Sequence, residues 1–292
     1  MTTTKSTLTF NVPLGSRLLF FFCIAALCFV INSVIFSVIV SLRGESTSVM
    51  RVLSVIQDIF VFIVPAIATA IIVTRLPARF LAIDNRPRLL HIVLAAVSLV
   101  GIMPLLNVVT IWNEGLSLPE GLAGVEEWMR NAEQVARGSI DLLFGGNTVG
   151  SLIVTLLIVA VMAGFSEELF YRGALQRLLS TGGLNIHVAI WLAAIIFSGM
   201  HLQFYGFFPR LMLGAFFGYI LYWTQCLWIP VIIHILNNAL YIINVYNAGQ
   251  MGNADAATDV QIPVSATIGA AAAAAVALYL LWRSTRKKSE KN

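Results

Sequence analysis

A chain of 292 residues with 59% hydrophobic and 11% charged side chains, and a mean hydropathy of +0.87, carries too much apolar surface for a water-soluble globule and too little polarity for disorder. Three cysteines exclude a disulfide-stapled module. The net charge of +4 would suit nucleic acid, but the basic residues gather at the ends of apolar runs instead of forming a stripe interleaved with aromatics. The expected partner is therefore the lipid bilayer and not nucleic acid, and the expected fold class is all-α, a polytopic bundle of about eight transmembrane helices.

A hydrocarbon layer about 30 Å thick takes about 20 apolar residues in a helix. In chain order the runs of roughly that size are 18–42, 52–73, 89–112, 148–165, 186–201, 211–223, 227–246 and 264–282, the fifth and sixth being short. The first exceeds the apolar stretch of a secretory signal and ends at Arg43 without a small-residue cleavage site, so it reads as a retained helix. Cys23, Cys28 and Cys226 lie in or beside these runs and read as small packing residues. Between the third and fourth runs, Pro119 to Arg137 reads as a short amphipathic surface helix with Trp128 as an interfacial anchor. The alanine stretch 270–275 in the last run reads as helix packing.

Positively charged connections resist translocation. Arg75, Arg79, Arg86 and Arg88 follow the second run, and Arg283, Arg286, Lys287, Lys288 and Lys291 follow the last. Glu114, Glu120, Glu126, Glu127, Glu133 and Asp141 crowd the third connection, and Asp255 and Asp259 precede the eighth run. Eight alternating spans with both termini cytoplasmic satisfy all of these, giving a multi-pass protein of the cell membrane.

A charged side chain within the bilayer costs about 2.5–3.5 kcal/mol on insertion scales, so each marks a candidate site. Three groups qualify: Glu167, Glu168 and Arg172; His201; and His234 with Asn238. Glu168 and Arg172 stand at i, i+4 in the order that favours a helical ion pair, while Glu167 points about 100° away. His234 and Asn238 share one face of the seventh run, as Phe197 and His201 do on the fifth. Gly182 and Gly183 mark a turn, and Glu167 and His201 each lie 17 residues from Leu184. Unbroken antiparallel helices would set both at one height, roughly 25 Å from the turn at about 1.5 Å per residue. His234 reaches that depth only if the fourth helix projects beyond the membrane, which carries Arg172, Gln176 and Arg177 into the cytoplasmic interface. Asp58 and Gln57 in the second run have no evident partner in the sequence.

This set suits water activation. A carboxylate in an apolar pocket can take a proton from water, an imidazole can orient that water, and an amide can donate to the oxyanion that forms. Hydrolysis of a peptide bond in a wet intramembrane cavity is the natural reaction.

The three motifs Glu167-Glu168-Leu169-Phe170-Tyr171-Arg172, Phe197-Ser198-Gly199-Met200-His201 and His234-Ile235-Leu236-Asn237-Asn238 fit E-E-x-x-x-R, F-x-x-x-H and H-x-x-x-N. In this order the chain resembles the CPBP family of CAAX prenyl proteases, bacteriocin-processing enzymes and Abi-type proteins. The resemblance implies a catalytic core over 148–246, preceded by helices and an acidic connection over 1–147 and followed by a last helix and basic tail over 247–292. It implies Glu167 as general base, His201 and His234 as groups that position or polarise the water, Asn238 as oxyanion donor, and Glu168 and Arg172 as support behind them. The family is commonly classed with metalloproteases, and His201, His234 and a glutamate oxygen could hold a catalytic zinc. A glutamate-activated water without metal fits the same residues, and no H-E-x-x-H occurs. The implied partner is a peptide or protein substrate at the membrane.

Singly, each group has an ordinary reading: interfacial charge for the glutamates, a satisfied histidine, interhelical hydrogen bonding for His234 and Asn238. Their joint order and depth favour a site. The competing functions are a proton-coupled transporter, against which the absence of an internal repeat counts, and a non-catalytic immunity or scaffold protein of the same fold. A rhomboid-like serine protease would use Ser198, but Ile196 stands where its G-x-S-G pattern needs glycine.

Overall fold

The computed structural model describes residues 10, 12–249 and 263–286. Among these, the chain is a bundle of helices: α1 Leu14–Arg43, α2 Thr47–Val73, α3 Leu89–Glu114, α4 Ala123–Phe144, α5 Val149–Thr181, α6 Ile186–Gly199, α7 Phe207–Thr224, α8 Trp228–Asn247 and α9 Val264–Arg286. Among the described residues, seven helical segments are long and apolar enough to cross a membrane. The outward face of α1 leaves Leu19, Leu27, Val30 and Val34 more than half exposed, as a lipid-facing helix must. The protein is a multi-pass membrane protein. Lys287, Lys288, Lys291, Asp255 and Asp259 lie outside the described residues.

All eight apolar runs become helices, with two changes that bear on the site. α6 has 14 residues, about 21 Å of helix, short of a full crossing. α5 instead runs 33 residues, about 50 Å, and the polar stretch expected at the cytoplasmic interface is packed inside the bundle. Arg172 and Gln176 are 1% and 2% exposed. They stay buried because α7 supplies backbone acceptors one turn apart: Arg172 Nη2 donates to the Gly214 carbonyl at 3.0 Å and Gln176 Nε2 to the Gly218 carbonyl at 3.1 Å.

The same two glycines let α7 lie close to α6. A Cβ on Gly214 would sit 3.1 Å from Ala194 Cβ and from Phe197 Cδ1. Gly214→Val is therefore expected to lower stability by about 1–3 kcal/mol through overpacking, read as a fall in the unfolding midpoint in detergent. The alanine stretch of α9 plays the reciprocal part against α3, where a Cβ on Gly101 would meet the Ala270 carbonyl at 2.7 Å. Small residues allow close helix approach where lipid is as apolar as leucine.

The amphipathic segment after α3 is longer than its sequence suggests, starting at Ala123 and running to Phe144. Arg51 explains the extension. Its Nε donates to the Leu143 carbonyl at 3.0 Å and its Nη2 to the Phe144 carbonyl at 2.7 Å, so a cation satisfies the bare carbonyls at the negative end of the helix. Trp128 remains 54% exposed and packs on Phe204, ring centroids 5.2 Å apart.

Three π-helical stretches interrupt the α geometry: Asp58–Ile63 in α2, and Leu156–Met162 and Leu169–Gln176 in α5. Such wide turns recur at functional sites. Glu167 stands between the two in α5.

Candidate active site

A cavity of about 840 Å³ lies between α3, α5, α6, α7 and α8, and Glu167, His201, His234 and Asn238 all line it. Helices α5 and α6 are not the unbroken rods assumed in counting from the Gly182 turn. A π stretch follows Glu167, and His201 sits in the turn beyond α6. The acid and the imidazole nevertheless face the same space.

The electrostatic foundation is Glu168, which is fully buried. Its Oε1 accepts from Arg172 Nη1 at 2.6 Å and from His234 Nδ1 at 2.9 Å. The Arg172 guanidinium lies 4.4 Å from the Phe197 ring centre and 5.4 Å from that of Phe217, so aromatic faces replace the water it has lost. Phe217 also stacks on the His234 ring, centroids 4.9 Å apart. The expected i, i+4 ion pair is thus formed, and it fixes an imidazole as well.

Because a carboxylate only accepts, His234 Nδ1 carries a proton toward Glu168, and Nε2 is the ring nitrogen turned to Glu167. That Nε2 is 3.8 Å from Glu167 Oε2, too far for a direct hydrogen bond and the span that one water, about 2.8 Å from each, bridges. His201 follows the same rule: its Nδ1 donates to the Phe197 carbonyl at 2.8 Å, leaving Nε2 free. Asn238 donates one Nδ2 proton to the Val159 carbonyl at 3.0 Å and accepts from Asn237 Nδ2 at 3.1 Å. Val159 belongs to the first π stretch of α5. One amide proton of Asn238 is left for a substrate.

Two further groups lie near the site that the sequence did not assign to it. Asp58 is buried and accepts from Ser166 Oγ at 3.0 Å, so this intramembrane carboxylate does have a partner, the residue just before Glu167. Its polarity in mid-span was the available signal, but the partner is 108 positions away. Arg210, in the first turn of α7, lines the cavity, and its Nη2 donates to Gln203 Oε1 at 2.7 Å.

His201 and His234 each keep one ring nitrogen toward the cavity. No group of three His, Cys, Asp or Glu side chains among the described residues is gathered closely enough to hold a metal ion. His201 and His234 are the side chains that could offer ligands to a metal ion, with Glu167 Oε2 3.8 Å from His234 Nε2.

Fold and site together define a polytopic helical membrane protein with an acid, two imidazoles and an amide converging on one intramembrane cavity. Residues 149–240 match the family model described as Type II CAAX prenyl endopeptidase Rce1-like. The likeness carried by the three motifs therefore holds over this segment, which is similar to the Rce1-like endopeptidases of the CPBP family. The uncharacterized protein YpbD of Bacillus subtilis (strain 168) is 23% identical over 107 residues, 35% of this chain and 50% of that protein. The chain thus matches about half the length of that curated relative. No solved structure matches it.

Proposed function

We propose that the protein is an intramembrane endopeptidase that hydrolyses a peptide bond of a membrane-associated protein or peptide. The observation that carries this reading is the convergence of Glu167, His201, His234 and Asn238 on one cavity, in a segment that matches a family of endopeptidases. A water held between Glu167 Oε2 and His234 Nε2 loses a proton to Glu167 as its oxygen attacks the scissile carbonyl. The C–N bond then breaks, and Glu167 returns the proton to the leaving amine, so the acid ends as it began. His201 lines the same cavity and helps confine the water, whose two protons go to Glu167 and His234. The spare Nδ2 proton of Asn238 stabilises the oxyanion. Glu168 and Arg172 hold His234 in the required tautomer.

The test is cleavage of membrane-tethered peptides by purified wild type and variants, with and without chelator. Asn238→Ala is expected to lower kcat by about 10²–10³-fold, the usual cost of an oxyanion donor, with KM little changed. Chelator inhibition reversed by zinc would support a metal on His201 and His234. Proton-driven uptake into liposomes without peptide cleavage would favour the transporter. Localisation to the cell membrane with cytoplasmic termini belongs to the same proposal and follows from the placement of its arginines.

A further inference from the structure

The two ends of the cavity differ, and the difference decides from which side a substrate can arrive. At the end bearing the arginine-rich connection between α2 and α3, the chain is sealed. The Ala82 carbonyl accepts from Leu227 N–H, and the Ile83 carbonyl from Trp228 Nε1–H, each at 2.9 Å. Asn85 Nδ2 donates to the Gln225 carbonyl at 2.7 Å, and Arg177 donates to the Arg79 carbonyl and to Gln225 Oε1 at 3.3 Å each. Beneath these bonds Phe80, Leu81, Ala82 and Leu227 are no more than 2% exposed. A Cβ on Gly173 of α5 would touch Leu227 at 3.3 Å and Leu81 at 3.5 Å. These contacts tie the connection to the α7–α8 turn and to α5.

The cavity runs the other way. On α3 its lining comes from the half that leads into the acidic connection, ending at Asn107 and Thr110. On α7 it comes from the first half, starting beside Gly206 and Arg210. On α8 it extends from His234 to Asn244, about 15 Å of helix, and Asn244 is exposed. Amides at Asn107 and Asn244 offer donors and acceptors that match an extended peptide backbone, whose own hydrogen bonds must be met inside a bilayer.

We infer that the peptide enters as an extended strand from the face bearing the acidic connection and α4, and that the arginine-rich face is closed to it. With that connection cytoplasmic, the entry is extracytoplasmic, and the substrate class is a peptide segment exposed outside the cytoplasm. The inference rests on the endopeptidase reading only for the identity of what enters.

The test adds one cysteine at a time to the full chain, reconstituted in vesicles of known sidedness and in cells, and uses a membrane-impermeant maleimide. The parent protein, with Cys23, Cys28 and Cys226, sets the blank. Glu120→Cys marks the acidic face, Arg86→Cys the basic face, and Thr110→Cys the cavity; the exposed Asn244→Cys replaces Thr110→Cys if that variant fails to fold. The cavity cysteine is expected to react in the preparation that labels Glu120→Cys and to lose all labelling in the one that labels only Arg86→Cys. Labelling together with Arg86→Cys, or in neither preparation, would overturn the inference. Reaction of Glu120→Cys from the cytoplasmic side would overturn its extracytoplasmic part. A protein that labels as expected but cleaves no peptide would leave the entry route standing and remove the protease. One that cleaves only peptides presented on the Arg86 face would do the reverse.

Discussion

Glu167→Gln protein is expected to fold and insert like wild type and to hydrolyse peptide at least about 10²-fold more slowly, within the 10²–10⁴-fold range of general-base catalysis. Glutamine keeps the size of glutamate and can still touch the water, but it cannot take the proton. The fold should be indifferent, because Glu167 makes no ion pair shorter than the 3.8 Å approach to His234, and its replacement strands no buried charge. Single-turnover cleavage of a tethered peptide, beside an unfolding midpoint in detergent, separates the two effects. Equal rates for wild type and Glu167→Gln would remove the general base, and with it the proposed mechanism.

The largest loss of stability is expected from Arg172→Leu, about 3–5 kcal/mol, the cost of breaking a buried pair and leaving one charge without its partner. Glu168 would keep only His234 Nδ1 in a fully buried environment, and the Gly214 carbonyl would lose the donor now 3.0 Å away. Arg172→Lys should recover only part of this. One ammonium cannot serve Glu168 and Gly214 in a planar fork while lying across two phenylalanine rings. Arg172→Leu combined with Glu168→Leu should regain much of the lost stability, since an apolar pair removes the stranded charge. It should not regain activity, because His234 would have no acceptor to hold its tautomer. A double variant as active as wild type would show that the pair does not act through His234.

The spans were readable because each is a long apolar run between charged brackets, and the site because its residues repeat at i, i+4 on three such runs. Glu168 with Arg172, and His234 with Asn238, needed only helical spacing to be put on common faces. What stayed hidden depends on backbone groups or on distant partners. Arg172 and Gln176 look like interfacial polarity in a string of letters, since their acceptors are the carbonyls of Gly214 and Gly218, which no side-chain pattern announces. Asp58 looked unpartnered because Ser166 reaches it across two helices. Arg51 binds the last carbonyls of a helix more than 90 positions away, and nothing in its own stretch of sequence announces that. The end at which the cavity closes was also beyond reach, because it depends on how the loop at Ala82 meets the turn at Leu227.

The π stretches of α5 carry a consequence for how such chains can be compared. A π turn accommodates one residue more than the α turn it replaces, so each is an insertion absorbed as a local swelling. Counting from Val149 at about 100° per residue misjudges the azimuth of Glu167, because the Leu156–Met162 swelling lies between them. A kindred protein could delete one residue there, straighten the rod and keep its acid on the same bearing. Gaps within this span are therefore compatible with an intact centre, and it is Asn238, deprived of the Val159 carbonyl it now holds, that would have to find another anchor.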